Sequence, residues 1–245
     1  MTSSEPAVLA ENLAKSYRHI QAVAQVSLRV APGETMGILG TNGAGKTTTI
    51  EMIAGLRVPD RGRVRVLGLD PRRDRARLRQ VLGVQLQDAY LHHALRVTEL
   101  IELYRSFYPD PRPADELLEL VDLTRQRRTI FEKLSGGQKQ RLSIALALVG
   151  RPRVAILDEL TTGLDPAARR RMWTAIEQLR SEGVTVLLVS HAMEEVDRLC
   201  DRVAVLDAGR VVAVDTPAGL RARAGTDALD DAFVTLTGKD LEEAT

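Results

Sequence analysis

The stretch Gly40-Thr41-Asn42-Gly43-Ala44-Gly45-Lys46-Thr47 joins an apolar run to a helical pattern. Residues 35–39, before it, predict a buried strand, and residues 46–54 predict the helix that it opens. Glycines at these positions let backbone N–H groups turn toward an anion, and the positive end of the helix lies at the same point. This phosphate loop (residues 40–47) therefore predicts a strand–loop–helix unit that binds a nucleotide.

The side chains of the phosphate loop predict individual roles. Lys46 can reach the β- and γ-phosphates, the Thr47 hydroxyl can ligate Mg²⁺, and Thr48 can add a phosphate contact. A chance glycine turn is the alternative, and it is disfavoured because the full spacing and the strand–loop–helix context occur together. The nucleotide ligands predicted here are Gly40, Asn42, Gly43, Ala44, Gly45, Lys46, Thr47 and Thr48.

Two acids, Asp158 and Glu159, follow the apolar run 154–157. Asp158 can hold Mg²⁺, directly or through a water, as the second acid of a P-loop ATPase. Glu159 can orient or deprotonate the attacking water. Taken alone, the two acids could equally well cap a strand, and the upstream phosphate loop favours the catalytic interpretation.

A second glycine-rich loop, Leu134-Ser135-Gly136-Gly137-Gln138, stands before another helical pattern. The N–H groups of that helix and the Ser135 hydroxyl form a second candidate anion site. A plain turn with an N-cap is the alternative. Because the chain already has one phosphate loop, we expect this serine–glycine loop (residues 134–138) to bind a nucleotide held by another subunit.

Short apolar runs alternate with helical patterns along the chain. Predicted strands lie at 26–30, 35–39, 62–66, 154–157, 184–189 and on both sides of Ala208-Gly209, and predicted helices at 46–54, 137–148, 167–179 and 194–200. Between about 99 and 121 the spacing is helical, apart from the breaker Pro109-Asp110-Pro111-Arg112-Pro113. The alternation predicts an α/β fold, a parallel sheet covered by helices, with ligands at the carboxyl ends of the strands.

Composition and charge limit the classes of function that this chain can have. The 245 residues include 34 Lys and Arg against 33 Asp and Glu, a balance that gives no reason to expect a nucleic-acid partner. A single cysteine, Cys200, excludes an intrachain disulfide framework and fits a reducing compartment. The N-terminal residues lack a signal-peptide pattern, and no apolar run approaches the ~20 residues of a membrane span. We therefore expect a soluble chain, whose membrane-spanning partner, if it has one, is another polypeptide.

The order of these motifs resembles that of the ATP-binding-cassette (ABC) ATPases, over residues 8 to 214 approximately. The resemblance assigns Gln87 to the family's glutamine loop, with Gln85 as the competing choice. It assigns Asp165 to an aspartate loop that meets the partner subunit. It also implies that His191 contacts the γ-phosphate and that Tyr17 stacks on adenine.

The resemblance implies a P-loop NTPase fold with a RecA-like core, an antiparallel β subdomain and an α-helical subdomain. A single domain is expected at 1–220, with the helical subdomain at about 88–150 and a tail at 221–245. The implied cofactors are ATP and Mg²⁺. The implied catalytic residues are Glu159, His191 and Gln87, the metal ligands are Thr47, Gln87 and Asp158, and the residues acting in trans are Ser135, Gly136, Gly137, Gln138 and Asp165.

The implied partners are a second ATPase subunit, most simply another copy of this chain, and a separately encoded membrane permease. Two subunits facing head to tail would enclose two MgATP, and hydrolysis would open the dimer. In the transporter branch of the family, the groove around Gln87 and the helical insertion pass that movement to the permease. The expected location is the cytoplasmic face of a bacterial membrane, and no nucleic-acid partner is expected.

The tail is similar to the C-termini of ATPases from bacterial drug and polyketide-antibiotic exporters of the daunorubicin-resistance type. The similarity rests on Leu229-Asp230-Asp231-Ala232-Phe233 and Leu236-Thr237-Gly238-Lys239-Asp240-Leu241, which could also be an ordinary acidic helical end. It favours export of a drug-like or hydrophobic compound, with a cell-envelope lipid or glycan as the close alternative.

Two other classes are less favoured. A soluble ABC ATPase acting on ribosomes or nucleic acid would carry two sets of motifs or a long coiled coil, and this chain has neither. A GTPase or small-molecule kinase would leave the serine–glycine loop unexplained, and the guanine motif Asn-Lys-x-Asp is absent from the sequence.

One position departs from the family pattern. The family usually has proline after the two acids, where this chain has Leu160. Proline would fix φ near −65° and remove an N–H group, whereas leucine does neither. We therefore expect normal ATP binding and modestly slower hydrolysis than in a Leu160→Pro variant.

Overall fold

Nine strands form one mixed sheet in the computed structural model, which describes residues 5–86 and 91–239. The order across the sheet is β4-β1-β2-β9-β8-β3-β7-β6-β5. The strands are β1 Val8–Tyr17, β2 Ile20–Val30, β3 Thr35–Gly40, β4 Arg61–Val66, β5 Leu82–Gln85, β6 Val154–Asp158, β7 Thr185–Val189, β8 Arg202–Asp207 and β9 Arg210–Asp215.

Helices connect most of these strands. The α-helices of the described residues are α1 Lys46–Ile53, α2 Arg75–Val81, α3 Val97–Arg105, α4 Ala114–Leu120, α5 Gly136–Leu148, α6 Pro166–Ser181, α7 Met193–Leu199, α8 Pro217–Ala224 and α9 Leu229–Thr237. Two short 3₁₀ turns, Thr124–Gln126 and Phe131–Lys133, lie between α4 and α5. Helices α3, α4 and α5 therefore follow one another between β5 and β6, where the sequence predicts a helical insertion.

The centre of the sheet is parallel, as the alternation of strands and helices predicts. Strands β8, β3, β7, β6 and β5 pair in parallel. One end differs, because β1 pairs antiparallel with β2 and β4, and β9 pairs antiparallel with β8. A single parallel bridge, Gln25 to Arg210, joins the two parts. The fold is thus the α/β fold with an antiparallel β part that the family resemblance implies.

Two clusters of buried apolar side chains lie on opposite faces of the sheet. Successive residues of β6 show the division, since Ala155 and Leu157 belong to one cluster and Val154 and Ile156 to the other. All positions of β3, β6 and β7 are buried, because these central strands are covered on both faces. Helices α5 and α6 cover the first face, and α1 packs on the second with β1 and β4.

The N-terminal strand β1 and the pair α2–β5 have no counterpart among the predicted elements. Strand β1 carries Glu11, Asn12 and Lys15, and its pairing with β2 is irregular, so no regular period marks it. Helix α2 buries only Leu78, which leaves no apolar face to recognise.

The C-terminal helices pack onto the main body. Leu220 of α8 and Leu229, Ala232 and Phe233 of α9 are buried in the first cluster. In the part of the chain that the structure describes, no helix has the length and apolar character needed to cross a membrane.

Candidate functional site

The three central strands β3, β6 and β7 end at the same edge of the sheet. They are neighbours and run parallel, so the residues that follow them come together. The phosphate loop follows β3, the acid pair ends β6, and Ser190 and His191 follow β7. The fold therefore assembles one candidate nucleotide site from three separate parts of the sequence.

The phosphate loop wraps closely against the strand β2 before it opens α1. Gly45 has φ +93°, and a Cβ atom there would collide with the backbone oxygen of Ala22. A Cβ atom on Gly40 would lie 2.6 Å from the backbone oxygen of Leu206. Glycine is therefore required at both positions for a local reason, the close approach of neighbouring backbone. Gly43 differs, because a Cβ atom there would meet nothing within 4 Å.

Lys46 holds the loop together. Its Nζ donates to the carbonyl oxygens of Gly40, at 2.7 Å, and Thr41, at 3.0 Å. Burial lowers the pKa of Lys46, while the charges of Asp158 and Glu159 act in the opposite direction. The ammonium group thus lies at the centre of the loop, near both acids, where an anionic phosphate would be attracted to it.

The acid pair has two different environments. Asp158 is 3% exposed, and its backbone N–H donates to Oε1 of Gln85 at 3.0 Å. Burial raises the pKa of Asp158 to about 6; the neighbouring charge of Glu159 adds to this rise, and Lys46 opposes it. Glu159 adopts the left-handed backbone conformation, with φ +53°. Its N–H donates to the carbonyl of Val189 at 2.9 Å, which ties it to the end of β7.

The oxygen groups in this part of the site suit Mg²⁺. Among the described residues, no cluster of three or more His, Cys, Asp and Glu side chains forms a metal site. The buried carboxylate of Asp158 and the hydroxyl of Thr47, at the start of α1, are hard oxygen ligands. Mg²⁺ prefers one or two such ligands together with water and substrate phosphates. Thr47 and Asp158 supply oxygen ligands of this kind, so the residues present fit the ion.

The two candidates for the glutamine loop differ in what the structure shows. Gln85, the competing choice, is 2% exposed, and its side chain bonds the backbone N–H of Asp158 and the carbonyl oxygen of Leu86. It joins β5 to β6. The preferred choice, Gln87, lies outside the described residues.

His191 lies at the mouth of the site. Its Nδ1 is 4.0 Å from Oε1 of Glu159, and its side chain is 57% exposed. Tyr17 is at the end of β1, and Arg57 lies over its ring with Cζ 5.3 Å from the centroid. Nothing in the sequence pattern pointed to Arg57. The guanidinium covers Tyr17, the residue expected to stack on adenine.

The serine–glycine loop begins α5 with a reciprocal cap. The N–H of Gln138 donates to Ser135 Oγ at 3.3 Å, and the Ser135 N–H donates to Oε1 of Gln138 at 3.0 Å. Gln138 is thus a structural partner of Ser135. Gly137 packs closely, since a Cβ atom there would lie 2.9 Å from Cδ2 of Leu164, whereas a Cβ on Gly136 would meet nothing within 4 Å.

Asp165 caps the next helix. Its Oδ1 accepts hydrogen bonds from the N–H groups of Ala167 and Ala168, both at 2.9 Å. These backbone hydrogen bonds lower the pKa of Asp165 and keep its carboxylate charged. Pro166 at the first helical position completes the start of α6.

The serine–glycine loop and the aspartate loop open on one cavity of about 570 Å³. Within the described part of the chain its lining includes Glu159 and Gln140 but no residue of the phosphate loop. Gln140 Nε2 donates to the carbonyl oxygen of Glu159 at 2.9 Å, a link the sequence did not predict. The lining residues are Ser135, Gly136, Gly137, Gln138, Gln140, Arg141, Glu159, Thr162, Gly163, Leu164, Asp165 and Ala168.

Several proteins of known sequence are similar to this chain over most of its length. A profile of the ABC transporter family matches residues 23–162. The linearmycin resistance ATP-binding protein LnrL of Bacillus subtilis is 37% identical over 240 residues, 96% of this chain and 76% of its own. The daunorubicin resistance ATP-binding protein DrrA3 of Streptomyces coeruleorubidus is 40% identical, over 93% of this chain and 73% of its own. The Nod factor export ATP-binding protein I of Rhizobium etli is 41% identical, over 84% and 67%.

Solved structures have the same fold. An ATP-binding subunit of an ABC transporter superposes with a TM-score of 0.85 at 28% identity, covering 94% of this chain and 99% of that one. The ATP-binding cassette MJ0796, solved as a dimer in a post-hydrolysis state with ADP and Pi, gives a TM-score of 0.79 at 27% identity, covering 85% and 98%. The chain belongs to the ABC transporter family and is an ATP-hydrolysing, ATP-binding subunit of that family.

Proposed function

We propose that two copies of this chain enclose two MgATP and drive a separate membrane permease that exports drug-like or hydrophobic compounds. The observation that carries the two-copy site is the separation of its two phosphate-binding loops. The phosphate loop, the acids and His191 follow the central strands, whereas the serine–glycine loop lines a cavity without the phosphate loop. Each ATP would be held by the phosphate loop of one copy and the serine–glycine loop of the other.

In this proposal different side chains of the chain perform different parts of ATP binding and hydrolysis. Lys46 and the phosphate-loop N–H groups would bind the β- and γ-phosphates, while Thr47 and Asp158 would hold Mg²⁺, which would offset the charge on the transferred phosphoryl group. Glu159 orients or accepts a proton from the attacking water, and His191 contacts the γ-phosphate. Loss of that phosphate removes the contacts between the copies, so the dimer opens.

Complementation between two inactive variants tests the shared site. Lys46→Ala removes the phosphate contact in one copy. Gly136→Asp places a negative charge where the partner's phosphates would lie, although in its own chain the side chain has open space and an acid in the first turn favours the helix. Each variant alone should be inactive. Mixed, they should form dimers with one intact site, and the rate should recover to about a quarter of wild type when copies pair at random.

A control and a contrary result complete that experiment. Ala218→Asp puts the same charge in the first turn of α8 and should leave the ATPase rate unchanged. If the mixture of Lys46→Ala and Gly136→Asp stays inactive although the copies exchange, or if Gly136→Asp alone hydrolyses ATP at the wild-type rate, the shared site is excluded.

An apolar groove supports the permease part of the proposal. A cavity of about 320 Å³ lies between β5 and the helices α3 and α5, lined by Leu56, Leu86, Leu91, Tyr104, Tyr108 and neighbouring residues. Leu56 is 62% exposed, and Phe107, 60% exposed, contacts the ring of Tyr104 beside the groove. Exposed apolar side chains of this size favour a protein partner over solvent. Movements of the glutamine-loop region and of α5 would be transmitted to a permease segment docked here.

Site-specific cross-linking tests this docking. Cys200 is buried and burial raises the pKa of its thiol, so an introduced cysteine would be the reactive one. Phe107→Cys should cross-link to a membrane permease in membranes from cells that express both proteins, and Val212→Cys, on β9, should not. Equal cross-linking at both positions would exclude a specific dock in this groove.

The names of the relatives favour export over import. Two are resistance proteins for linearmycin and daunorubicin, and a third belongs to Nod factor export. All three names agree with outward transport, and the two resistance proteins favour a hydrophobic drug. Export of a cell-envelope lipid or glycan is the alternative, and a non-transport ABC ATPase is the least favoured. A co-purified permease of six spans without a substrate-binding protein would support export, whereas a substrate-binding protein would indicate import.

A further inference from the structure

A buried carboxylate, Glu195, lies behind the catalytic edge and is not used in the chemistry above. It is on the first turn of α7 and is 1% exposed. The indole N–H of Trp173, on α6, donates to its Oε1 at 3.2 Å. Burial of a carboxylate is costly without compensating hydrogen bonds, so its place in the core calls for a reason.

The surroundings of Glu195 come from the three segments that carry the site. Burial raises the pKa of Glu195, and the hydroxyls of Ser190 and Thr161, the indole of Trp173 and the charge of Arg169 act in the opposite direction. Ser190 immediately precedes His191, and Thr161 is two residues after Glu159. Arg169 and Trp173 lie on α6, the helix that Asp165 caps. One carboxylate therefore contacts the neighbours of His191, Glu159 and Asp165.

The turn that carries His191 is fixed to this cluster from both sides. Ser190 Oγ faces Glu195 and also accepts a hydrogen bond from the N–H of Ala192 at 3.0 Å. The N–H of Glu195 donates to the carbonyl of Ala192 at 3.1 Å. The position of the His191 backbone therefore depends on where the Glu195 side chain and the start of α7 lie.

Two buried polar atoms near Glu195 make no hydrogen bond. Oε2 of Glu195 and Nε of Arg169 are two of the six buried side-chain atoms in the described residues that make no hydrogen bond, although the two side chains attract each other. Buried polar atoms without a hydrogen bond cost free energy, so this cluster is not optimised for stability alone.

We propose that Glu195 is a positioning residue for ATP hydrolysis, which holds the His191 turn in register with the Glu159 segment and the aspartate-loop helix. Glu195 touches neither substrate nor the reacting atoms, and it acts through His191 and Glu159. The inference rests on the ATPase activity of the family and is independent of which compound is transported. In the two-copy arrangement proposed above, the cluster would link the aspartate loop to the catalytic pair.

Glu195→Gln tests this directly, because the amide keeps the shape and loses the charge. We expect kcat to fall roughly 10- to 100-fold, while KM for ATP stays within about twofold, since misplacement of a catalytic group slows chemistry more than binding. Asp197→Asn removes a charge from the exposed side of the same helix and should keep the wild-type kcat. Trp173→Phe removes the donor to Glu195 and should lower kcat in the same direction, which keeps the proposal testable if Glu195→Gln does not fold.

Tryptophan fluorescence gives a readout whose response to nucleotide would not depend on Glu195 if the role of Glu195 were only structural. Trp173 is the single tryptophan, so its emission reports on the Glu195 cluster. A non-hydrolysable ATP analogue with Mg²⁺ should shift this emission in the wild type. The shift should vanish in Glu195→Gln although the labelled analogue still binds. An unchanged kcat in Glu195→Gln, a loss confined to thermal stability, or an emission shift that persists in the variant would overturn the proposal.

Discussion

Nδ1 of His191 lies 4.0 Å from Oε1 of Glu159, beyond hydrogen-bond distance, at the open edge of the sheet. The two side chains face each other across the ends of β6 and β7, and the N–H of Glu159 is fixed to Val189 at the end of β7. At this separation a water or a phosphate oxygen could lie within hydrogen-bond distance of both side chains. The pair thus has the geometry of two groups that act on a third.

His191→Ala should therefore retain MgATP binding and lose turnover. The phosphate loop and Lys46, which bind the phosphates, are built without His191, so the affinity for a labelled ATP analogue should change little. The rate should fall roughly 100-fold, the range expected for loss of a positioned polar catalytic group. His92→Ala changes an exposed histidine that is not among the predicted site residues, and it is the control. A His191→Ala enzyme with the wild-type rate would remove His191 from the site.

Glu159→Gln should trap a dimer in the presence of MgATP. The amide preserves the shape but cannot accept the proton of the attacking water, and it removes the charge that helps to raise the pKa of Asp158. Two copies should then stay joined by unhydrolysed ATP. Light scattering should show a dimer with MgATP and a monomer without it, whereas Glu159→Gln combined with Lys46→Ala should stay monomeric. Monomers under all conditions would contradict the two-copy site.

Asp158→Asn should stabilise the nucleotide-free protein while it abolishes Mg²⁺-dependent hydrolysis. The folded pKa of about 6 lies above the ordinary value of 3.8, so between these values the folded state binds more protons than the unfolded state. The stability contributed by the protonated Asp158 is complete below pH 3.8 and is lost as the pH rises through about 6. At pH 8 the ionised carboxylate therefore costs about 3 kcal/mol, which asparagine avoids.

Thermal unfolding in a chelating buffer measures this effect. The advantage of Asp158→Asn over the wild type should be largest at pH 8 and should shrink toward pH 5. Asp207→Asn, at the end of β8, removes a strand-end carboxylate outside the site and should not show that pH profile. A gain in stability that is the same at pH 5 and pH 8 would mean that the pKa of Asp158 is not the cause.

The residues at the carboxyl edge of the sheet could be predicted from the sequence more readily than the tertiary contacts behind that edge. The phosphate loop and the acid pair follow strong apolar strands, so their place at the carboxyl ends could be inferred. The antiparallel pairing of β1 could not be inferred from a period, because its polar residues and irregular register hide it. The position of Arg57 over Tyr17 and the burial of Glu195 among Ser190, Thr161 and Trp173 depend on tertiary packing. No local pattern records such contacts.

The departure from the family pattern at Leu160 gives the last prediction. Leu160 is fully buried in the first apolar cluster, and the preceding Glu159 holds φ +53°. Proline at 160 would fix its own φ and aim the segment more rigidly, and from this the sequence predicts modestly faster turnover in Leu160→Pro. Proline would also shorten a buried side chain and disfavour the α-type backbone of the preceding residue, so the variant should be less stable by about 1–3 kcal/mol.

Turnover per folded molecule and the melting temperature should be measured together for Leu160→Pro. Leu160→Ala is the matched variant, because it loses side-chain volume without fixing the backbone, and it should be destabilised without faster turnover. ATP binding should be unchanged in both, since the phosphate loop does not contain residue 160. Equal turnover in wild type and Leu160→Pro would show that the rigidity of residue 160 does not limit hydrolysis. Slower turnover would show that the left-handed conformation of Glu159, which leucine permits, is the productive one.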